Sequence, residues 1–299
     1  MTSASAPTVP DLSALARPSG AFAMLAVDQR EALRAMFAEF QDGPVTDEQI
    51  TAFKVAAVRA LTPYASAVLL DRQFSLDAVL AADAIAPGCA MIAAADAFTA
   101  DDREFVAHVA IDDAVDPVRV RASGGVALKL LVLWRPDEDP AVRIAMTRDF
   151  VARCRTAGLL SIVEPVSRAP RDGSAWTPED WDAGVLAAAR ELGGLGADLY
   201  KAEVPRHGEG DEAGIRRACA ELTDTIDGPW VVLSTGVPHD LFPYAVRLAC
   251  EEGASGFLAG RAVWRRVVGA PDTAAALAEH AVPRLRELTE VVDDVVGGR

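Results

Sequence analysis

Short apolar runs alternate with longer amphipathic stretches along the chain. Each apolar run is short and continuous, which is typical of parallel β-strands that are covered on both faces. The pattern predicts eight strands, at residues 22–28, 66–71, 89–94, 126–134, 159–165, 197–204, 230–235 and 256–260. Between them, apolar residues recur at helical spacing, and several of these stretches begin at a capping residue or end at glycine. The chain is therefore a series of strand–helix repeats.

Eight such repeats predict an α/β protein with a (β/α)8 TIM-barrel fold. The alternative is an open doubly wound sheet, which for a dinucleotide would need a GxGxxG loop directly after the first strand. That position holds Asp28-Gln29-Arg30, and the glycine run at residues 193–196 precedes a strand and ends a helix. Because no change in composition marks a second domain, we predict a barrel domain over residues 16–299 after a flexible leader over residues 1–15.

The charge balance narrows the class of function. The 299 residues carry 29 Lys plus Arg against 44 Asp plus Glu, a formal net charge of −15. Such acidity disfavours nucleic acid and anionic membranes as partners, since both attract basic proteins. The N-terminus lacks the pattern of a signal peptide, and no apolar run approaches the ~20 residues of a membrane span. We expect a cytoplasmic protein.

Cysteine usage gives no sign of a metal centre or of a disulfide framework. The four cysteines are far apart and form no CxxC pair; they are Cys89, Cys154, Cys219 and Cys250. We expect each of them in or near the core as a small apolar residue.

Arginine supplies nearly all of the positive charge, so the few lysines stand out. Of the 29 basic residues, only Lys54, Lys129 and Lys201 are lysine. Lys54 lies in an amphipathic helical stretch and is expected at the solvated surface. Lys129 and Lys201 interrupt apolar strand patterns, and lysine is almost never buried without a partner or a purpose. These two are candidates for chemistry that arginine does not perform.

The active site of this fold forms at the C-terminal ends of the strands. A lysine that is desolvated near another cation has a lowered pKa and becomes a nucleophilic amine, which condenses with a ketone to a Schiff base. The protonated imine then allows a neighbouring carbon–carbon bond to break, as in a retro-aldol reaction. Glu164 is placed to shuttle protons and Asp28 to orient or charge-balance the site. The predicted catalytic residues are therefore Lys201, Glu164, Lys129 and Asp28.

Other strand ends carry residues suited to an anionic substrate. The loops after the last two strands usually cradle phosphate in this fold, and here they offer a hydroxyl, glycine amides and a guanidinium fork. The predicted substrate-binding residues are Gln29, Arg30, Asp71, Ser234, Gly236, Gly260 and Arg261. Three loop arginines either add to this cationic focus or are solvated, namely Arg135, Arg168 and Arg171.

The pattern leaves alternatives open. Lys201 is either a nucleophile or the partner of Glu164 or Glu203 in a structural ion pair. Lys129 either holds a substrate phosphate or pairs with a carboxylate. Glu203 follows Lys201 by two residues and shares its face of the strand, so it is either a salt-bridge partner or a participant in proton transfer.

Several long, colinear segments resemble class I sulfofructosephosphate aldolases. They lie at residues 23–32, 63–71, 127–135, 196–203, 233–237 and 254–264, and the similarity extends from about residue 16 to the C-terminus. Class I tagatose-bisphosphate aldolases share the Asp-Gln-Arg, Pro-Tyr-Ala and Gly-Arg-Ala elements and an element like Lys-Ala-Glu, all in looser form. The residues that follow Lys201, Ala202-Glu203-Val204, depart slightly from the pattern of the sulfosugar enzymes.

The resemblance implies cleavage of 6-deoxy-6-sulfofructose 1-phosphate to dihydroxyacetone phosphate and 3-sulfolactaldehyde, a step in the sulfoglycolysis of sulfoquinovose. It implies that Lys201 is the Schiff-base lysine, that Glu164 is the proton shuttle beside Lys129, and that Ser234, Gly260 and Arg261 bind phosphate. It further implies a homo-oligomer that needs no cofactor and no metal.

Three other functions compete with this one. The first is the same chemistry on tagatose or fructose 1,6-bisphosphate. The second is a metal-dependent aldolase, which would need clustered histidines; the four in the chain, His108, His207, His239 and His280, show no i, i+2 or i, i+4 spacing. The third is a non-catalytic sugar-phosphate binding protein, which the two strand lysines and the strand-end glutamate disfavour.

Overall fold

The computed structural model describes residues 11–299, and these residues form a closed parallel barrel with helices around it. Ten strands occur in this range: β1 (Phe22–Ala26), β2 (Ala67–Leu70), β3 (Ala90–Ala94), β4 (Asp96–Thr99), β5 (His108–Ile111), β6 (Gly125–Trp134), β7 (Leu160–Ser167), β8 (Leu199–Ala202), β9 (Trp230–Val232) and β10 (Gly256–Ala259). All except β4 and β5 make the barrel, in the order β1-β2-β3-β6-β7-β8-β9-β10 and back to β1. The predicted (β/α)8 fold is confirmed.

Helices follow the barrel strands and cover their outer face. They are α1 (Glu31–Ala38), α2 (Asp47–Leu61), α3 (Leu76–Ala81), α4 (Pro117–Ala122), α5 (Pro140–Ala157), α6 (Pro178–Leu192), α7 (Glu212–Thr225), α8 (Phe242–Glu251), α9 (Arg261–Trp264), α10 (Thr273–Ala276) and α11 (Val282–Val296). Thr46 and Thr177 cap α2 and α6, as their position in the sequence predicts. Within residues 11–299, no helix is both long and apolar enough to cross a bilayer.

Strand alternation divides the apolar residues between two layers. Every second residue of a barrel strand faces the interior, and this inner layer packs into its own buried cluster. It includes Ala26, Ala127, Ile162 and Leu199. The residues between them face the helices and join the larger outer core. Because side chains alternate along a strand, the residue two positions after the last inner-layer residue also faces inward, at the C-terminal mouth of the barrel.

One hairpin, β4–β5, stands outside the barrel and was not predicted. It follows β3 after a single residue, and its antiparallel ladder runs from Asp96 opposite Ile111 to Thr99 opposite His108. The hairpin lies in a stretch whose polar and apolar residues give no sustained alternation. Its loop, residues 100–107, reaches the mouth of the barrel.

The predicted leader overlaps the structured part of the chain. Its residues 1–10 lie outside the described range. A 3-10 turn forms at Leu12–Leu15, and Asp11 caps it. Leu15 is fully buried and packs in the inner layer of the barrel. The division into a leader and one barrel domain stays a prediction.

Candidate active site

The four predicted catalytic side chains converge at the C-terminal mouth of the barrel. Glu164 joins the two strand lysines: its Oε1 lies 2.7 Å from Lys201 Nζ and its Oε2 lies 3.0 Å from Lys129 Nζ. Asp28 Oδ2 lies 2.8 Å from the same Lys129 amine. All four side chains are buried. They form one hydrogen-bonded and ion-paired unit that draws on β6, β7, β8 and the end of β1.

Strand alternation and register explain this convergence. Asp28, Lys129, Glu164 and Lys201 each follow an inner-layer residue by two positions, so all four side chains turn to the same side of their strands. Because Val163 pairs with Tyr200, the next step along the ladder sets Glu164 opposite Lys201. The local sequence fixes the face, and the register of the parallel strands fixes the distance.

Asp96 completes the unit, although no pattern in the sequence singles it out. Its Oδ2 accepts hydrogen bonds from Lys129 Nζ at 2.8 Å and from the backbone N–H of Leu131 at 3.1 Å. Its Oδ1 lies 3.0 Å from Arg30 Nη2, and its carbonyl oxygen accepts from Arg30 Nη1 at 2.9 Å. Asp96 therefore fixes one amine and one guanidinium at the same time.

The buried charges of this cluster balance. Three carboxylates (Asp28, Asp96 and Glu164) face three cations (Lys129, Lys201 and Arg30), and such pairing is what makes buried ions tolerable.

The ionisation of the cluster follows from this pairing. Burial opposes ionisation of Asp28 and Glu164, but the attraction of Lys129 and Lys201 outweighs it, so both carboxyl pKa values lie below their ordinary range. Burial also opposes the charge on Lys129, yet Asp28, Asp96 and Glu164 raise its pKa well above the usual value. Lys129 is therefore a permanent cation near neutral pH.

A cavity of about 530 Å³ opens above this cluster. Asp28, Lys129 and Glu164 form its floor, and the β4–β5 hairpin loop contributes part of its wall. Its lining includes the side chains of Arg103, Arg168 and Arg261. None of these arginines takes part in the ion pairs formed among residues 11–299, whereas most other arginines there are paired with carboxylates. The cavity thus offers guanidinium groups to an anionic ligand.

The predicted binding residues after β1 both line the cavity. Arg30 is held against Asp96, and its guanidinium stacks over the Phe98 ring at 4.5 Å. Gln29 has a buried Oε1 that no donor within the described chain satisfies. Buried acceptors of this kind usually have a partner, so Gln29 is poised to accept a hydrogen bond from a ligand or a water.

The loops after β9 and β10 adjoin the cavity. Arg261 lines it and donates from Nη2 to Thr235 Oγ1 at 2.7 Å; Thr235 was not predicted, whereas its neighbour Ser234 was. Burial, followed by repulsion from Arg265, lowers the pKa of Arg261. Ser234, Gly236 and Gly260, which were predicted to bind substrate, are not among the residues that line the cavity, although their neighbours Thr235 and Arg261 are.

Close packing requires glycine at both predicted glycine positions. At Gly236 (φ +79°) a Cβ would lie 2.6 Å from His207 Cδ2, and at Gly260 it would overlap the carbonyl oxygen of Ala26. Glycine therefore lets the loop after β9 pack against His207 and the loop after β10 pack against the end of β1.

Asp71 does not reach the cavity, and the expectation that Lys54 is solvated is wrong. The two side chains form an ion pair that is fully buried between α2 and the end of β2. Asp71 also accepts hydrogen bonds from the N–H of Phe74 at 2.8 Å and from Ser75 Oγ at 2.7 Å. The helical spacing carried the signal, because the buried positions of α2 are Ile50, Phe53, Lys54, Ala57, Val58 and Leu61.

The ion pairs of the two strand lysines show which carboxylates they contact. Within residues 11–299, Lys201 makes one ion pair, with Glu164 and not with Glu203. Lys129 pairs with the carboxylates of Asp28 and Asp96. Glu203 instead accepts a hydrogen bond from the backbone N–H of Ser167 at 2.7 Å.

The described residues contain no group of three or more His, Cys, Asp or Glu side chains that could hold a metal ion. The four cysteines are free thiols, and Cys154, Cys219 and Cys250 are buried.

The sequence is similar to that of known aldolases. Residues 22–266 match the profile of a family described as DeoC/LacD family aldolase. The tagatose 1,6-diphosphate aldolase of Listeria monocytogenes is 29% identical over 277 residues, which cover 85% of this chain and 80% of that protein. Tagatose 1,6-diphosphate aldolase 2 of Enterococcus faecalis is 29% identical over 306 residues, covering 93% and 91% of the two chains.

Solved structures of other aldolases share the fold. The fructose-bisphosphate aldolase of Plasmodium falciparum superposes with a TM-score of 0.68 at 13% identity and covers 97% of this chain and 98% of its own. An archaeal fructose-1,6-bisphosphate aldolase, in which the catalytic lysine carries the carbinolamine intermediate of its substrate, gives a TM-score of 0.62 at 16% identity, with 94% and 98% coverage.

Proposed function

The chain belongs to the DeoC/LacD family of aldolases, and from that premise we propose that it is a class I aldolase whose Schiff-base lysine is Lys201. The observation that carries the proposal is the position of Glu164, whose two carboxylate oxygens lie 2.7 Å from Lys201 Nζ and 3.0 Å from Lys129 Nζ. A carboxylate that touches both the Lys201 amine and the fixed cation of Lys129 is able to take a proton from Lys201 and pass it to the substrate.

The proposed reaction runs on a ketose 1-phosphate. Lys201 passes a proton to Glu164, and its free amine attacks the C2 carbonyl; loss of water then gives a protonated imine. Glu164 gives its proton to the departing water, and its carboxylate then removes the proton from the C4 hydroxyl. The C3–C4 bond breaks, its electron pair moves into the imine to form an enamine, and an aldehyde leaves. The proton now held by Glu164 is the one that adds to C3. Protonation at C3 and hydrolysis by water release dihydroxyacetone phosphate and restore the amine.

The other charged groups have supporting roles in this proposal. Lys129, held by Asp28 and Asp96, keeps a fixed positive charge beside the carbonyl and alcohol oxygens on which negative charge develops. Such preorganised charge costs no rearrangement when the reaction occurs. Asp28 maintains the position of that amine.

The substrate carries an anion at both ends in this proposal. The unpaired Arg103, Arg168 and Arg261 line one cavity, so they supply more positive charge than a single phosphate needs. Together with the resemblance to sulfofructosephosphate aldolases, this favours 6-deoxy-6-sulfofructose 1-phosphate, with 3-sulfolactaldehyde as the second product and sulfoglycolysis as the setting. Arg261, with Ser234 and the amides of Gly236 and Gly260, forms the phosphate end.

A second candidate substrate has its own support. The similar curated proteins from Listeria and Enterococcus are tagatose 1,6-diphosphate aldolases. Tagatose or fructose 1,6-bisphosphate would use the same lysine and differ only in the group at C6, where a phosphate carries nearly two charges and a sulfonate one.

Borohydride trapping with dihydroxyacetone phosphate tests the mechanism. Reduction should fix the three-carbon unit on the peptide that contains Lys201, as mapped by mass spectrometry, and incubation with a chelator should leave activity intact. An adduct on another residue, or loss of activity that a divalent ion restores, contradicts the proposal. Initial rates on the sulfosugar beside the two bisphosphates decide the substrate, and a higher kcat/KM for a bisphosphate contradicts the sulfosugar assignment.

The resemblance also implies a homo-oligomer, which is part of the proposal. Light scattering coupled to gel filtration measures the mass in solution, and a single-chain mass of 31.5 kDa would contradict it.

A further inference from the structure

A buried carboxylate that the proposed reaction does not use lies two residues beyond Lys201. Glu203 is 1% exposed, and its Oε2 accepts a hydrogen bond from the backbone N–H of Ser167 at 2.7 Å. Its Oε1 is buried and has no hydrogen-bond partner within residues 11–299. Glu203 therefore joins the end of β8 to the end of β7, the two strands that carry Lys201 and Glu164.

This hydrogen bond between Glu203 and the N–H of Ser167, called the bridge below, takes the place of ladder pairs that β7 and β8 do not form at their upper ends. The ladder between β7 and β8 has only two pairs, Ile162 with Leu199 and Val163 with Tyr200. A carboxylate closes each end of this short ladder. At the lower end, Asp198 Oδ2 accepts from the N–H of Ser161 at 2.8 Å and from its hydroxyl at 2.6 Å. At the upper end, Glu203 is the acceptor, and the Glu164–Lys201 contact lies between the two closures.

The bridge also sets the start of the loop that leaves β7. Ser167 is the last residue of that strand, and Arg168, which follows it, lines the cavity. The Arg168 guanidinium donates to the Ser167 carbonyl oxygen at 2.9 Å and lies over the Trp181 ring at 5.9 Å. The backbone at this point is held on two sides: Glu203 binds the Ser167 N–H from β8, and the Trp134 carbonyl oxygen of β6 accepts from the Arg168 N–H at 2.9 Å.

We propose that Glu203 is a positioning residue, which ties the ends of β7 and β8 together and so fixes Glu164 and Arg168 relative to Lys201. This rests on the proposed function, in which Lys201 forms the Schiff base and Arg168 faces the anionic substrate. A shift of about 1 Å in such a contact is enough to lower a rate about 100-fold. Glu203 itself touches neither the substrate nor the reacting atoms.

Protonation of Glu203 gives the bridge a measurable signature. Burial and the neighbouring charge of Glu164 disfavour its ionised form, while Arg168 and the N–H of Ser167 favour it, and the balance raises its pKa to about 8. Tyr200, on the same strand, also lies within its field. Below this pKa the side chain is a neutral carboxylic acid, which a glutamine imitates in shape and as an acceptor.

The test compares Glu203→Gln, Glu203→Ala and Glu203→Asp in the full-length protein, with Asp198→Asn as the matched control at the other end of the ladder. We expect Glu203→Ala and Glu203→Asp, which remove or shorten the bridge, to lower kcat at least 10-fold, to raise KM and to slow borohydride trapping. Glu203→Gln should recover most of kcat but lose the inflection near pH 8 in kcat/KM. Asp198→Asn should change stability while kcat stays within about threefold of the wild type.

The outcomes separate this inference from the proposed function. If the wild-type protein gives no adduct on Lys201, the proposed function fails and the role of Glu203 fails with it. If the wild type gives the adduct and a folded Glu203→Ala or Glu203→Asp keeps its kcat, KM and trapping rate, only the positioning role is wrong. Should Glu203→Ala not fold, an unchanged pH profile in Glu203→Gln together with wild-type kinetics in Glu203→Asp overturns it equally.

Discussion

The amine of Lys129 and the carboxylate of Asp96 lie 2.8 Å apart although 33 residues separate them in the chain. Asp96 belongs to a hairpin outside the barrel, whereas Lys129 belongs to a barrel strand. A side chain from the inserted hairpin thus holds the fixed cation of the proposed reaction centre. The same hairpin supplies part of the cavity wall, so one element both lines the cavity and anchors the proposed catalytic cluster.

Asp96→Asn should reduce catalysis and change its pH dependence. Lys129 would keep two of its three carboxylate partners, so its raised pKa would fall and the alkaline limb of kcat against pH would move to lower pH. We expect kcat to fall about 10- to 100-fold as the amine loses its fixed position. Asp113→Asn, an exposed change of equal charge nearby, serves as the control. A wild-type profile in Asp96→Asn would show that Lys129 does not depend on the hairpin.

Lys201→Arg should abolish turnover in a folded protein. Arginine stays protonated near neutral pH and does not act as the amine nucleophile, although it still pairs with Glu164. We expect kcat to drop about 1,000-fold or more, with the far-UV circular dichroism and the cooperative unfolding transition retained. Residual activity within about 10-fold of the wild type would assign the Schiff base to another residue.

Arg261→Ala should raise KM for a phosphorylated substrate by about 10-fold or more, because a guanidinium–phosphate contact in a buried site is a charge-assisted hydrogen bond. Arg265→Ala is the matched control, since Arg265 lies one turn further along and is exposed. Steady-state kinetics of both variants on the same substrate make the comparison. Equal KM values in the two variants would place the phosphate elsewhere.

Lys54→Met should destabilise the protein by about 3–5 kcal/mol, because Asp71 would remain buried without its counter-charge. Adding Asp71→Asn should restore part of this loss, since the amide oxygen in the place of Oδ2 still accepts from the N–H of Phe74 while the uncompensated charge is gone. The free energies of unfolding of Lys54→Met, Asp71→Asn and the double variant, measured in urea, give the double-mutant cycle. Additive losses would mean that the two side chains do not stabilise each other.

Because of its raised pKa, Glu203 should cause the free energy of unfolding of the wild type to fall as the pH rises toward 8. Its folded pKa of about 8 lies above the unfolded value near 4.5, so between these values the folded state binds one proton more than the unfolded state. The free energy of unfolding then falls with a slope of about 1.4 kcal/mol per pH unit from this group. The difference in unfolding free energy between the wild type and Glu203→Gln, measured from pH 5.5 to 9, isolates the contribution. A difference that does not change with pH would show that Glu203 is already ionised in the folded state.

Local sequence was sufficient for the fold and for the centre of the site. The eight barrel strands are short apolar runs, typical of parallel strands covered on both faces, and the absence of a GxGxxG loop after the first of them favours the barrel over a doubly wound sheet. Strand alternation alone places Asp28, Lys129, Glu164 and Lys201 on the inner side. The scarcity of lysine drew attention to the two amines that the barrel brings together. These inferences need only the period of a strand and the rule that barrel sites form at strand ends.

Tertiary packing decided the partners of each charge. No pattern singles out Asp96, because its hairpin shows no strand alternation. Residue type alone predicts Lys54 at the surface, whereas the helical spacing of α2 puts it among the buried positions. Asp71 pairs with Lys54 because α2 brings that lysine to the end of β2. Glu203 accepts from the N–H of Ser167 at a point where β7 and β8 form no ladder pair. A strand pattern specifies which face a side chain takes, but an ion pair depends on distances of a few ångströms between segments tens of residues apart. Those distances exist only once the barrel has closed.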